Sequence, residues 1–249
     1  MERRSPRLRT VNKSKPTFEL NEFPKDFPFL FGKELIYLLS TKGKPELEGS
    51  EWENIFANCI GADWKPSNVG LDDVVMGNTA WGAKTVESTN PSNQRRVRLI
   101  SGRNSPVYSF GEKIDTNKDP NPIGSQVLDI WNERVSAIRE KFKHLRTVVL
   151  IKSNDLSEVV IFEFETIRYD NELYIWGWNS NNNLEGFTKK NNEHCFTWQP
   201  HGSQFTIIED VPGKSLFIQI KQPPILNKEH ILESIGFDKS WITVFYKNG

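Results

Sequence analysis

The chain has 249 residues, 37% hydrophobic and 26% charged, and its 32 basic and 32 acidic side chains leave no net charge. Overall basicity is therefore excluded, and a nucleic-acid partner would have to be held by a locally basic surface. Two cysteines exclude a disulfide framework, and four scattered histidines show no zinc-ligand spacing. The length allows one large domain or two small ones. No apolar run approaches the roughly 20 residues of a membrane span, and the N-terminus lacks the apolar core of a secretory signal. A cytoplasmic location with no membrane partner is expected.

Residues 1–24 carry Arg3, Arg4, Arg7, Arg9, Lys13 and Lys15 among prolines and read as a flexible basic arm. Residues 29–43 predict a helix with Leu35, Leu38 and Leu39 on its apolar face and Gly43 as its stop. A second helix over 49–62 buries Trp52, Ile55, Phe56, Cys59 and Ile60, with Ser50 and Glu53 as a capping box. Short strands follow at 71–76 and 81–87, and two more at 95–100 and 107–110 flank an SGRNSP turn. A long helix over 124–145 sets Val127, Ile130, Trp131, Val135, Ile138 and Phe142 at helical spacing. From there the period becomes two. Strands are expected at 147–153, 157–169 and 172–179, then at 194–200, 203–209 and 214–221. A short helix over 230–237 and a strand over 241–247 close the chain. The order predicts a single α/β domain over 25–249, with a mixed central sheet flanked by helices and a β-rich C-terminal half.

The stretch 70–88, GLDDVVMGNTAWGAKTVES, gathers residues that can do chemistry. Asp73 opens one strand and Lys84 lies eleven positions later in the next, so a hairpin brings them together. A carboxylate there can hold a hard divalent ion, which needs only one or two such ligands and keeps several waters. A lysine beside it can meet a phosphate oxygen. The plainer alternatives are a turn acid and an edge-strand lysine.

Asp73-Val-Val, then Gly82-Ala-Lys84, preceded by a helix carrying Gly49 and Trp52-Glu53, resemble the PD-(D/E)xK nuclease superfamily. Many type II restriction endonucleases belong to it. The resemblance covers about residues 43–90 and departs from the motif twice: Gly82 replaces the second acid, and Asp72 stands where proline is usual. It implies a restriction-endonuclease-like core over about 43–150 and a DNA-recognition part over about 150–249. It also implies that Asp73 and Glu53 bind Mg²⁺ and that Asp73, Glu53 and Lys84 are catalytic. Glu133 and Glu87 are the other sources of the missing acid. The implied activity is Mg²⁺-dependent hydrolysis of double-stranded DNA at a specific site, by a homodimer where that site is palindromic. An inactive DNA-binding module and a structure-specific repair nuclease of the same fold are the alternatives.

Arg95, Arg96, Arg98 and Arg103 follow the hairpin, and arginine's fork suits phosphate and guanine, as Asn104 suits adenine. Further on, His194, Gln199, His201, Ser203 and Gln204 alternate with Phe196 and Trp198, as a groove-facing ribbon would. Polar turns over an ordinary core would look similar. Phe162, Phe164, Tyr174, Trp176 and Trp178 alternate towards a core. Glu163 and Glu165 then point to the other side, either into solvent or towards those arginines. No Walker loop, GxSxG, HExxH or dinucleotide fingerprint is present, so no nucleotide cofactor is expected.

Overall fold

The computed structural model describes residues 14–65, 70–111 and 113–246. Among them five α-helices and eleven strands follow one another as α1 (Phe27–Lys42), α2 (Gly49–Ile60), β1 (Asp63–Trp64), β2 (Val74–Met76), β3 (Thr79–Glu87), β4 (Arg96–Arg103), α3 (Pro106–Phe110), α4 (Pro120–Arg139), β5 (His144–Lys152), β6 (Glu158–Glu165), β7 (Tyr174–Trp178), β8 (Leu184–Thr188), β9 (His194–Gln199), β10 (Gln204–Asp210), β11 (Leu216–Gln219) and α5 (Lys228–Ser234). The first sheet is mixed, in the order β1-β2-β3-β5-β6-β11, and the second, β4-β10-β9-β8-β7, is antiparallel. No described helix is long and apolar enough to cross a membrane.

The single parallel pair, β3 with β5, sets the architecture. Parallel neighbours need a long crossover, and α4 supplies it. Its stripe of Val127, Leu128, Trp131, Val135 and Ile138 lies between the first sheet and the inner face of the second. Helices α1 and α2 cover the opposite face of the first sheet, packing Phe27, Phe31, Trp52 and Phe56 against Trp81, Val148 and Ile161. The two sheets interleave along the chain rather than dividing it near residue 150. β4 leaves the N-terminal half to pair with β10, and β11 returns to pair with β6.

Several expectations change. The arm expected over 1–24 is anchored from residue 14 on, while residues 1–13 lie outside the described residues. Phe18 stacks on Trp81 at 5.5 Å, and the Asn21 side chain donates to Glu163 O at 3.0 Å. Helix α2 is capped two positions earlier than Ser50, at Glu48: Glu51 Oε2 accepts from Glu48 N at 2.8 Å. That leaves Glu53 clear of the cap. The strand expected at 107–110 is the short helix α3, because Ser105 accepts from Tyr108 N and Pro106 occupies the first turn. Helix α4 starts earlier, at the Asp119 cap, and stops at Arg139, because pairing of His144 with Thr79 claims the following residues for β5. The strand expected at 241–247 does not form over 241–246. The remaining residue, 247, lies outside the described residues.

Glu163 also departs from its expected surroundings. It neither faces solvent nor reaches Arg95–Arg103. It is buried against Arg146, with Oε2 3.2 Å from Nη1, and its other oxygen accepts from Trp81 Nε1 at 2.5 Å. Both faces of β6 are covered, Val159 and Ile161 lying in one core cluster and Val160 and Phe162 in another, so a carboxylate buried there must be paired.

Candidate active site

The β2–β3 hairpin turns at Gly77, which sits at φ 58°, and pairs Val74 with Trp81 and Val75 with Ala80. Alternation then sorts the side chains. Val74, Trp81 and Ala83 face α1 and α2, whereas Val75 and Ala80 face α4. Asp73 shares the parity of Val75, and Lys84 that of Ala80. Both therefore enter the space beneath α4.

Asp73 is 3% exposed, and its Oδ2 accepts from Ala83 N at 3.3 Å. Lys84 Nζ donates to Gly70 O at 3.4 Å. From α4 comes Arg134, whose Nη1 donates to Ser101 O at 2.7 Å and to Asn104 Oδ1 at 3.1 Å. Burial pushes the Lys84 ammonium below the ordinary lysine value. Asp73 opposes that shift, Arg134 adds to it, and Glu53 opposes it from further off. Burial likewise lowers Arg134, again against Asp73. The result is two cations drawn out of water around one buried carboxylate.

Gly82 has a steric cause. A Cβ on it would lie 2.8 Å from Gly70 O and 3.2 Å from the Leu71 Cα, both backbone atoms. The segment entering β2 crosses directly over this position, so no acid fits there. Any second carboxylate must come from outside the hairpin. Glu53 accepts from Trp64 Nε1 at 3.2 Å, on β1 at the edge of the same sheet, and its charge is felt by Lys84. Glu87 has the wrong parity and is paired with Lys152 at 3.0 Å. Glu133 is exposed and, with Arg134 and Phe110, lines a cleft of about 450 Å³ beside the site.

Among the described residues, no three His, Cys, Asp or Glu side chains gather as a ready-made metal cage. Mg²⁺ does not require one, since it takes one or two carboxylates and keeps its waters. Asp73 and Glu53 are the two carboxylates whose charge acts on Lys84. Next to them Asp72 Oδ1 is buried with no hydrogen-bond partner, an orphaned acceptor of the kind a cation or its water would satisfy. Buried Asp73 and the orphaned Asp72 oxygen are donors of the chemical kind that a hard cation takes.

The expected DNA-contacting residues divide into four groups. Register places Gln204 opposite both Arg103 and Gln199, so these three lie side by side across β4, β10 and β9. His201 is exposed in the adjoining turn, and Ser203 follows it at φ 55°. Arg95 is exposed at the far end of β4. Arg96 and Arg98 are occupied within the sheet: Arg96 bridges Glu193 and Asp210, and Arg98 donates to Thr197 Oγ1 at 2.9 Å. Asn104 is a correction. It is fully buried, donates to Val127 O at 2.9 Å and accepts from Arg134. It cannot read a base, because its amide is consumed in positioning α4.

Arg134 is the residue of this cluster that motif reading passes over. Its signal was an arginine between Trp131 and Val135, inside the apolar stripe of an otherwise regular helix. No family model, curated protein or solved structure matches this chain, and the site stands on its own geometry.

Proposed function

We propose that the chain is a Mg²⁺-dependent endonuclease of double-stranded DNA, of the restriction type, with a restriction-endonuclease-like core. The observation that carries this reading is the buried cluster under α4, where Lys84 and Arg134 converge on Asp73. Two cations held out of water beside one carboxylate suit the oxygens of a phosphodiester. The order helix, strand, strand in α2, β2 and β3, with Glu53, Asp73 and Lys84 on successive elements, supports the family resemblance.

In this mechanism Asp73 and Glu53 would hold Mg²⁺, and the chemistry the ion would supply when bound is a more acidic water and neutralisation of charge on the phosphate. Lys84 holds a phosphate oxygen or orients the attacking water. Arg134 is fixed by Ser101 and Asn104, so its charge is already oriented when the pentavalent phosphorus develops. Arg103, Gln199, His201, Ser203 and Gln204 form the adjoining polar edge. Their turn is tied to the site, because Asn104 N donates to Ser203 O at 2.8 Å while its side chain holds Arg134. This edge would bring a DNA groove to the cluster.

The test is incubation of the purified chain with plasmid and bacteriophage DNA in Mg²⁺, with Ca²⁺ and EDTA as controls. Discrete fragments that disappear in Asp73→Asn and Lys84→Ala support the reading. Tight, salt-sensitive binding without cleavage in any divalent metal would instead mark an inactive DNA-binding module. Cutting confined to flaps or junctions would mark a structure-specific repair nuclease. Full cleavage by both variants would remove these residues from the site.

A further inference from the structure

The molecule has a second unusual surface, far from polar. Beyond Gln219 the chain passes Pro223-Pro224, a stiff pair that cannot continue a ladder, and becomes an arm over 225–246. The arm is attached to the body at its root, where Leu226 N donates to Ser40 O at 2.9 Å on α1. Past that point neither α5 nor the turn at Lys239–Trp241 contains a buried residue. Ile231, Ile235, Trp241, Ile242, Val244, Phe245 and Tyr246 are all exposed, the last two at 88% and 87%. A seven-residue helix does not hold in water by itself. Its apolar side must be covered by something.

A matching surface lies beside the arm's root. α1 leaves Phe29, Ile36 and Tyr37 exposed on its outer side, with Phe29 at 78%, and Gly32 lies between them with open space above it. Next to Tyr37 a groove of about 260 Å³ opens between α1 and α2, floored by Leu38 and Ile55, with room for an aromatic side chain. The arm's apolar side chains expose on the order of 1,000 Å², against about 800 Å² per partner in a standard stable interface. Within 225–246 the acids Glu229, Glu233 and Asp238 outnumber Lys228 and Lys239, which argues against nucleic acid as the cover.

We infer that the arm of one copy lies on α1 and the α1–α2 groove of a second copy, and that the second arm returns the contact. The exchange is isologous: arm and receiving face belong to the same chain, root beside face, so one two-fold axis satisfies both. The inference rests on surface chemistry and stands whether or not the chain cuts DNA.

Sedimentation velocity of the full chain, without DNA, tests it. A dimer of twice the chain mass is expected at low micromolar concentration. Trp241→Glu with Phe245→Glu, and separately Phe29→Glu with Tyr37→Glu, should each raise the dimer dissociation constant at least about 100-fold. All four positions are exposed, and an unchanged circular dichroism spectrum serves as the check on folding. Mixing Tyr37→Cys chains with Phe245→Cys chains under mild oxidation should give a disulfide-linked heterodimer. A wild-type monomer overturns the inference, including one whose arm is protected by folding back on its own chain. So does a dimer that persists in both double variants, or a mixture that gives no cross-link.

Discussion

Two groups of buried charges lie on opposite faces of β3, and their arithmetic differs. Facing α1, the Arg146 guanidinium meets the carboxylates of Glu163 and Glu165. Trp81 donates to Glu163, and Asn21 N donates to its second oxygen at 3.2 Å. Phe18 lies over the guanidinium at 5.7 Å. Every partner there is protein, and the N-terminal segment closes the cluster. Facing α4, Lys84 and Arg134 share Asp73, with Glu53 only a distant contributor. The first group sets one guanidinium against two carboxylates, with every contact made by protein groups. In the second group two cations are held out of water beside Asp73, and it is this group that the proposed function assigns to a phosphate.

The largest expected effect tests the structural half of that contrast. Arg146→Met leaves Glu163 buried without its cation and should destabilise the chain by about 3–5 kcal/mol in urea unfolding. DNA cleavage below the new melting temperature should be affected only through stability.

Lys84→Met should behave in the opposite way. Cleavage is expected to fall by about 10²–10³-fold, the usual consequence of losing one preorganised charge at a reacting centre, while thermal stability rises. The sign follows from linkage. The folded-state pKa of Lys84 lies below its unfolded value, so folding disfavours the ammonium at neutral pH, and stability recovers as pH rises through the folded pKa towards the unfolded one. Melting curves of wild type and Lys84→Met should therefore converge as the buffer becomes more alkaline. A variant that is both inactive and less stable would place Lys84 with the structural charges.

Gly82→Asp restores the acid of the familiar motif and should nonetheless fail. Its Cβ would meet the Gly70 carbonyl at 2.8 Å, so a loss of about 1–3 kcal/mol is expected by denaturant unfolding, with no gain in cleavage rate. Smaller again is the difference between Asn104→Ala and Gln204→Ala. The first should cost about 1–3 kcal/mol of stability, because Val127 O and Arg134 lose their partner. The second should leave stability within about 0.5 kcal/mol and weaken DNA binding, measured by fluorescence anisotropy.

Much of this was legible in the chain itself. Alternating and helical periods located the helices of the core and most of the strands, because burial imposes those periods on apolar residues wherever an element has one wet face. Hairpin spacing brought Asp73 and Lys84 together, while Glu87 stayed a candidate until the structure paired it with Lys152. Periodicity failed where local chemistry overrides it: at Ser105-Pro106, which start a helix, and near His144, where pairing with β3 stops one. It also failed for isolated polar residues. Asn104 beside a run of arginines looks like a base reader, and Glu163 in an alternating strand looks solvated; both are buried. Their roles depend on partners 23 to 142 residues away, Val127 for one and Asn21 for the other.

The sequence by itself therefore determined the mixed α/β class, the acid–lysine hairpin and the lack of a side chain at position 82. Tertiary structure alone decided why that side chain is lacking, which is that residues 70–71 cross over Gly82. It alone brought Arg134 to Asp73, since the approach of α4 to a hairpin some fifty residues earlier leaves no period in the chain. Periodicity records which face of an element is buried, and only the packed chain records against what.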